Sequence, residues 1–262
     1  MTRYEDIPGI NWSRLKGYRT SPKHARYGGT DTDAMLRGRM AHCALYEPEL
    51  YQGRYVVFPG KKKQGKRWEA FKEFNAGLEI VTKAQYDLGL AIAQAVREDP
   101  VAGPLLEGTY TEQVLTWNDP ATGRKCKGRV DQVNGRLGDL KTTVSVDPRR
   151  FGAQVESLGY HGQIAFYSDG LFENGIAVQA NPALIAVEAK PPHDVVVYEV
   201  SDDDILAGRD LYRSLMEMYI ECEAKGEWPG IAGGKMLTLQ RPAWAVAQEE
   251  SEITWGGESV EF

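Results

Sequence analysis

The sequence predicts an α/β fold. Five stretches have strand length and strand pattern, at 111–117, 125–133, 136–143, 183–190 and 194–200. Longer stretches at 33–50, 82–99, 148–175 and 201–225 carry apolar residues at three- and four-residue spacing, as helices do. Asn134-Gly135 is a hairpin signal between the second and third strands, so the first three strands form a meander.

In chain order, Trp12, Leu15 and Tyr18 mark a short amphipathic helix beginning at Ser13, and Ser21-Pro22 opens a second one. This segment is basic: Arg14, Lys16, Arg19, Lys23, His24 and Arg26 lie among aromatic residues, as on a solvated helix face or a phosphate-contacting edge. The helix over 33–50 ends at Pro48 and carries His42. On pattern alone, a lone His in an apolar helix reads as a satisfied core residue. The stretch 54–76 starts with a short strand, RYVVF, and continues into GKKKQGKRW, a solvated or DNA-contacting loop. Thr82 leads the next helix, and a short one covers 100–106. Gly159 breaks or kinks the helix over 148–175, on which Gln163 and Tyr167 share a face. Pro191-Pro192 separates the last two strands, and Ser201 with its three aspartates caps the helix that runs to Lys225. Residues 228–245 are irregular. A single domain is expected over 1–245, followed by an acidic tail over 246–262.

Composition narrows the function classes. Hydrophobic residues make up 42% and charged residues 26% of 262, enough to bury a core. No apolar run is long enough for a membrane span, and no signal peptide is evident at the start, so a cytoplasmic location without membrane contact is expected. Cys43, Cys126 and Cys222 are too few and too scattered for a four-thiolate cluster, which excludes a nuclease stapled by iron–sulfur. The net charge of −6 argues against a protein that coats nucleic acid, but not against one that grips DNA in a single groove.

The hairpin KGRVDQVNGRLGDLKTT holds Asp131, Asp139 and Lys141. A two-residue turn at Asn134-Gly135 sets Asp131 opposite Gly138 and sends Asp139 to the other face. A three-residue loop with Gly135 in the left-handed region and a bulge restores the parity, with Leu140 pointing into the core. If the acids share a site, the second arrangement is required. Two carboxylates on one face repel, and a hard divalent cation such as Mg²⁺ would offset this, with the Leu140 carbonyl as a further ligand. Lys141 would orient or deprotonate a water and neutralise phosphate charge. An ordinary surface Asp/Lys pair has the same spacing.

These residues resemble the PD-(D/E)xK nuclease motif: Asp131 is the first acid and Asp139-Leu140-Lys141 the (D/E)xK element, with Val130 where the motif has Pro. The segments GRMAHCALYEP, TEQVLTWNDPATG, GRVDQV, GDLKTT, HGQIAFYSDG and EWPGI…LTLQRPAW occur in the order found in the exodeoxyribonuclease VIII (RecE) family, from Pro8 to Trp244. The resemblance implies a restriction-endonuclease-like fold, a central mixed β-sheet flanked by helices. It implies a Mg²⁺-dependent (Mn²⁺ as substitute) 5′→3′ exodeoxyribonuclease, phage or prophage encoded, that acts on double-stranded DNA ends and leaves 3′ overhangs for recombination. By the same resemblance His42 joins the metal site, Glu112 is the acid on the preceding strand, Gln163 and Tyr167 form the QxxxY motif that contacts DNA, and His161 is also matched. The implied partners are a single-strand annealing protein of the RecT/Bet type and further copies in a homo-oligomeric ring. Arg19, Ser21 and Lys23 are assigned to a 5′-phosphate pocket on the charge of their segment. The other readings are a structure- or sequence-specific endonuclease on the same fold and a non-catalytic DNA-binding module. The presence of both aspartates and the lysine speaks against the latter.

Overall fold

The computed structural model describes residues 3–60 and 62–241. The tail over 246–262 lies outside the described residues.

Asn11, rather than Ser13, caps the first helix, α1 (Trp12–Lys16), because its side chain accepts from the Arg14 N–H. A short 3₁₀ turn then leads to Ser21, which caps α2 (Pro22–Tyr27) with Pro22 in the first turn. Helix α3 (Asp33–Tyr46) is capped by Thr32. The helical pattern expected to run to residue 50 divides here. Pro48 begins α4 (Pro48–Arg54), since proline's missing N–H is harmless in a first turn. Strand β1 (Tyr55–Val57) follows. The basic stretch after it is not all loop: α5 (Lys66–Phe74) occupies its second half, and β2 (Glu79–Val81) returns to pair parallel with β1. Thr82 and Gln85 form a capping box at the start of α6 (Lys83–Glu98), and α7 (Ala102–Leu105) is one short turn.

The central sheet follows as β3 (Tyr110–Asn118), β4 (Lys125–Val133) and β5 (Leu137–Thr143). The chain then crosses over through α8 (Pro148–Leu158) and α9 (Tyr160–Glu173), with Gly159 left-handed between them. It returns as β6 (Ala183–Glu188) and β7 (Val195–Glu199) and ends in α10 (Asp202–Lys225), capped by Ser201. Sheet order is β3-β4-β5-β6-β7. The β5–β6 pair is parallel and the other three are antiparallel, so the sheet is mixed. The long crossover is what a parallel pair demands.

Each face of the sheet has its own core. On one, Trp117, Val130, Leu137 and Leu184 pack with Trp12 of α1, Ile164 and Phe166 of α9, and Tyr212 and Met216 of α10. On the other, Leu140, Ile185 and Val187 pack with Met40 and Ala44 of α3 and Ile92 and Val96 of α6. Residues 184 to 187 alternate between the two cores, the period-two pattern of a strand buried on both sides. No helix among the described residues is long and apolar enough to cross a membrane.

Candidate active site

The site lies where the sheet opens between β4 and β5. Only Gln132↔Gly138 and Val133↔Leu137 pair these strands, around a three-residue loop in which Gly135 has φ 64°. This is the three-residue loop rather than the tight two-residue turn, and its register sets Asp131 opposite Asp139. At that point the backbone ladder ends. Asp131 Oδ2 accepts the Leu140 N–H at 2.9 Å in place of a strand carbonyl. The Leu140 side chain is buried in the core beneath, as the parity argument requires.

On the other side of Asp131, β3 pairs with β4 as Thr111↔Gln132 and Gln113↔Val130, which leaves Glu112 opposite Asp131 and outside the ladder. Glu112 has φ 52°, a left-handed conformation that is unusual for a residue with a long side chain. Such backbone concentrates at sites where geometry is over-determined by the surroundings. Two carboxylates directly across a strand pair destabilise it. His42, delivered by α3, answers this: its Nδ1 is 2.9 Å from Glu112 Oε1 and its Nε2 is 2.5 Å from Asp131 Oδ2. Burial alone would push the imidazole pKa down, but the two carboxylates prevail and raise it to about 10. Arg129 closes the row, 2.9 Å from Glu112 Oε2.

Asp139 is 1% exposed and ion-pairs with Lys141. Burial and the Asp131 charge push its carboxyl above the usual range in spite of Lys141. Asp131 shifts the other way. Burial opposes its charge, but His42, Lys141 and the Leu140 N–H hold its carboxyl below the usual value. Lys141 is buried too, which alone would lower its pKa, yet Asp139 and Asp131 raise it. Its Nζ donates to Gln163 Oε1 at 2.9 Å and lies 4.5 Å from the centre of the Tyr160 ring. Gln163 therefore comes from α9 on the opposite side of the sheet from His42. Tyr167, on the same face of α9, covers Gly128, where a Cβ would stand 3.1 Å from its ring. Burial raises the Tyr167 hydroxyl well above its usual pKa, with Asp139 and Asp131 adding to the effect.

The structure thus brings His42, Glu112, Asp131, Asp139, Leu140, Lys141 and Gln163 together, with Tyr167 beside them. Arg19, Ser21 and Lys23 stand differently. The Arg19 guanidinium donates to the carbonyls of Glu156 and Ser157, both at 2.7 Å, at the end of α8. Ser21 is buried, with its Oγ 2.7 Å from His24 Nδ1. Both are committed to the scaffold, which weakens the assignment of a phosphate pocket to them. Lys23 makes no side-chain hydrogen bond or ion pair among the described residues. His161 is also buried and turns toward Glu156, with Nε2 3.9 Å from its Oε2, away from the acids.

Three neighbours of the site are weakly marked in the sequence. Tyr160 lies under Lys141 and leaves no spacing signal. Arg129 precedes Asp131 by two, and that same-face relation was the available clue. Lys16 sits close enough to Lys141 that, after burial, the neighbouring ammonium lowers its pKa. In the sequence it is one of several basic residues.

The donor set fits a divalent cation. Both Asp139 oxygens and Glu112 Oε1 are buried and accept no hydrogen bond, being met only by the ion pairs with Lys141 and His42. Buried carboxylate oxygens so placed are costly without a cation to satisfy them. Among the described residues no three His, Cys, Asp or Glu side chains already stand at metal-site spacing. His42 and Lys141 hold the charge instead, and a cation would enter by displacing those contacts.

A mixed sheet opened beside an acid, with an Asp-x-Lys strand across the gap, defines a PD-(D/E)xK-type domain. The chain belongs to the family of PDDEXK-like domains of unknown function DUF3799, whose profile matches residues 14–238. This places it in the PD-(D/E)xK nuclease superfamily, whose nucleases generally use divalent metal ions. The crystal structure of a "Putative exonuclease" from Eubacterium rectale has the same fold, with a TM-score of 0.62 at 13% identity over 94% of this chain and 98% of that one. A second crystal structure, of SSO0001, matches with a TM-score of 0.29 at 14% identity over 82% of this chain and 92% of that one. No curated protein matches the sequence.

Proposed function

We propose that this protein is a divalent-metal-dependent exodeoxyribonuclease that degrades one strand of linear duplex DNA from its 5′ end. The observation that carries the reading is the meeting of Asp131, Asp139 and Lys141 at the open β4–β5 edge, where the buried Asp139 carboxylate is held only by its ion pair with Lys141. The exonuclease name carried by the structural neighbour from Eubacterium rectale is consistent with it.

In this reading Asp131, Asp139, Glu112, His42 and the Leu140 carbonyl hold Mg²⁺, or Mn²⁺ in its place. The bound ion supplies polarisation of the phosphodiester and a water of lowered pKa. The protein's own groups do the rest. Lys141, fixed by Asp139 and Gln163, orients the attacking water and neutralises charge that develops on the phosphoryl oxygens. His42 keeps Glu112 and Asp131 aligned in the absence of a cation. Tyr167 and Gln163 face the DNA, and Lys16 offers an ammonium beside Lys141 for a neighbouring phosphate. Water attacks in line, the bond to the 3′ oxygen of the leaving nucleotide breaks, and a 5′-mononucleotide departs. The remaining 3′ overhang would be taken up by a single-strand annealing protein in recombination, and a homo-oligomeric ring around the duplex would make degradation processive.

Linear and closed circular duplexes digested side by side test the polarity and the mode of attack. Loss of a 5′ label from the linear duplex first, with the circle left intact, is the expected result. Cutting of the circle would support an endonuclease on this fold.

A further inference from the structure

Helix α5 stands at the surface of the fold: none of its residues is fully buried, and it is the longer of the two α-helices, with α2, of which that is true among the described residues. It is fastened by an aromatic cluster at its base, where Phe58 meets Trp68 at 5.0 Å and Phe71 at 5.1 Å between ring centroids. The helix and the turn before it carry Lys62, Lys63, Lys66, Arg67 and Lys72 against only Glu69 and Glu73, in a chain whose net charge is −6. Lys63 and Lys72 are occupied: Lys63 donates to the Ile80 carbonyl, Lys72 pairs with Glu69, and both lie over the Trp68 ring. Lys62, Lys66 and Arg67 are exposed, and their side chains make no hydrogen bond or ion pair among the described residues. Beyond the packing of Trp68 and Phe71 on Phe58, the helix contributes little to the core, and Lys66 and Arg67 contribute no ion pair to it.

The arm is rooted beside the acids. Glu79 of β2 ion-pairs with Arg39 of α3 at 2.8 Å. The preceding residue, Gly38, faces Thr142, whose Oγ1 would stand 3.8 Å from a Cβ there, and Thr142 follows Lys141 in β5. His42 lies one turn further along α3. Arg37, on the same turn as Arg39, has a buried Nε with no hydrogen-bond partner. The strand that follows the arm is therefore tied, through Arg39, to the helix that delivers His42 to the site.

We propose that the α5 arm is a duplex-binding surface, on which Lys62, Lys66 and Arg67 contact the phosphate backbone beyond the nucleotide being removed. The proposal rests on DNA being the substrate. The ligand is read as a polyanionic backbone rather than as base sequence, because the surface offers exposed cations on one helix and the turn before it. Its contribution is to affinity and to holding the substrate between cuts, while the chemistry stays with Lys141 and the acids.

The test is binding of a fluorescent linear duplex, measured by anisotropy without divalent metal so that no strand is cut, across a range of salt concentrations. The double variant Lys66→Gln/Arg67→Gln is compared with wild type and with Lys190→Gln, an exposed cation in the β6–β7 turn. Since the two arm residues are exposed and unpaired, the variant is expected to unfold at the wild-type midpoint. The slope of log affinity against log salt should fall by about 2 in the double variant, at about 0.9 for each phosphate that is no longer neutralised, and stay unchanged in Lys190→Gln. An unchanged slope in the double variant, with wild type binding normally, overturns the arm alone. The same result accompanied by a changed oligomeric state overturns it in favour of an acidic protein surface as the occupant. Wild-type protein that fails to bind duplex overturns the DNA reading as well, which keeps the two failures apart.

Discussion

The Leu140 N–H donates to Asp131 Oδ2 at 2.9 Å, so the first acid of the site also closes the opened edge of the sheet. Asp131 therefore has two separable duties. Asp131→Asn keeps an acceptor for the Leu140 N–H but gives up the buried ion pair with His42, so it should lose activity and unfold somewhat earlier than the wild type. Asp131→Ala leaves a buried donor unpaired and should cost about 1–3 kcal/mol as well. Denaturant unfolding of the two variants, set beside their nuclease rates, checks the division.

Lys141 should matter to the rate far more than to binding. Lys141→Ala removes the cation in contact with Asp139, and we expect a fall in turnover of about 10²–10³-fold, the scale for losing one preorganised charge stabiliser. Gln163→Ala only loosens the lysine. One hydrogen bond at about 1 kcal/mol corresponds to a fall in rate of roughly tenfold or less. Single-turnover rates at saturating duplex separate these effects from affinity. Equal losses in the two variants would contradict the geometry.

Cation binding should stabilise the fold, because a divalent ion that binds only the native arrangement of Asp131, Asp139 and Glu112 shifts the equilibrium toward it. Saturating Mg²⁺ or Mn²⁺ is expected to raise the thermal midpoint of wild type, by linkage to the native state. Asp139→Ala should abolish that rise. A midpoint indifferent to either ion would exclude the proposed ligand set.

Arg19 distinguishes a scaffold role from a phosphate role. Its guanidinium is spent on the Glu156 and Ser157 carbonyls, so Arg19→Ala should destabilise the protein by about 1.5–3 kcal/mol. If Lys16 is the phosphate contact, Lys16→Ala should lower the preference for 5′-phosphorylated ends, while Arg19→Ala retains it at temperatures where the variant is folded. Competition between phosphorylated and hydroxyl ends reads this out.

The hairpin was the most legible part of the site. If the two acids share a site, parity requires the three-residue loop, and Gly135 adopts the left-handed conformation that such a loop needs. Thr82, Ser21 and Ser201 mark their helix starts because a side-chain oxygen close to a free N–H is a local event. Where local chemistry is ambiguous, the outcome depends on the whole fold. Pro48 opens α4 as readily as it ends α3. Helix α5 leaves a weak apolar signal because only Trp68 and Phe71 pack inward, and β2 is only three residues long. The left-handed Glu112 and the opening of β4 from β5 arise from contacts between distant segments, and no period in the sequence encodes them. His42 illustrates the same limit: its helix reads as ordinary core, and only the two carboxylates reaching it from β3 and β4 reveal its position.

Whether Asp131, Asp139 and Lys141 form a metal-dependent nuclease site is tested most directly by following an end-labelled linear duplex with wild type and Asp139→Ala, each with Mg²⁺ and with chelator. Degradation is predicted for wild type only when Mg²⁺ is present, and for the folded Asp139→Ala variant in neither condition. Degradation by Asp139→Ala at the wild-type rate would contradict the assignment.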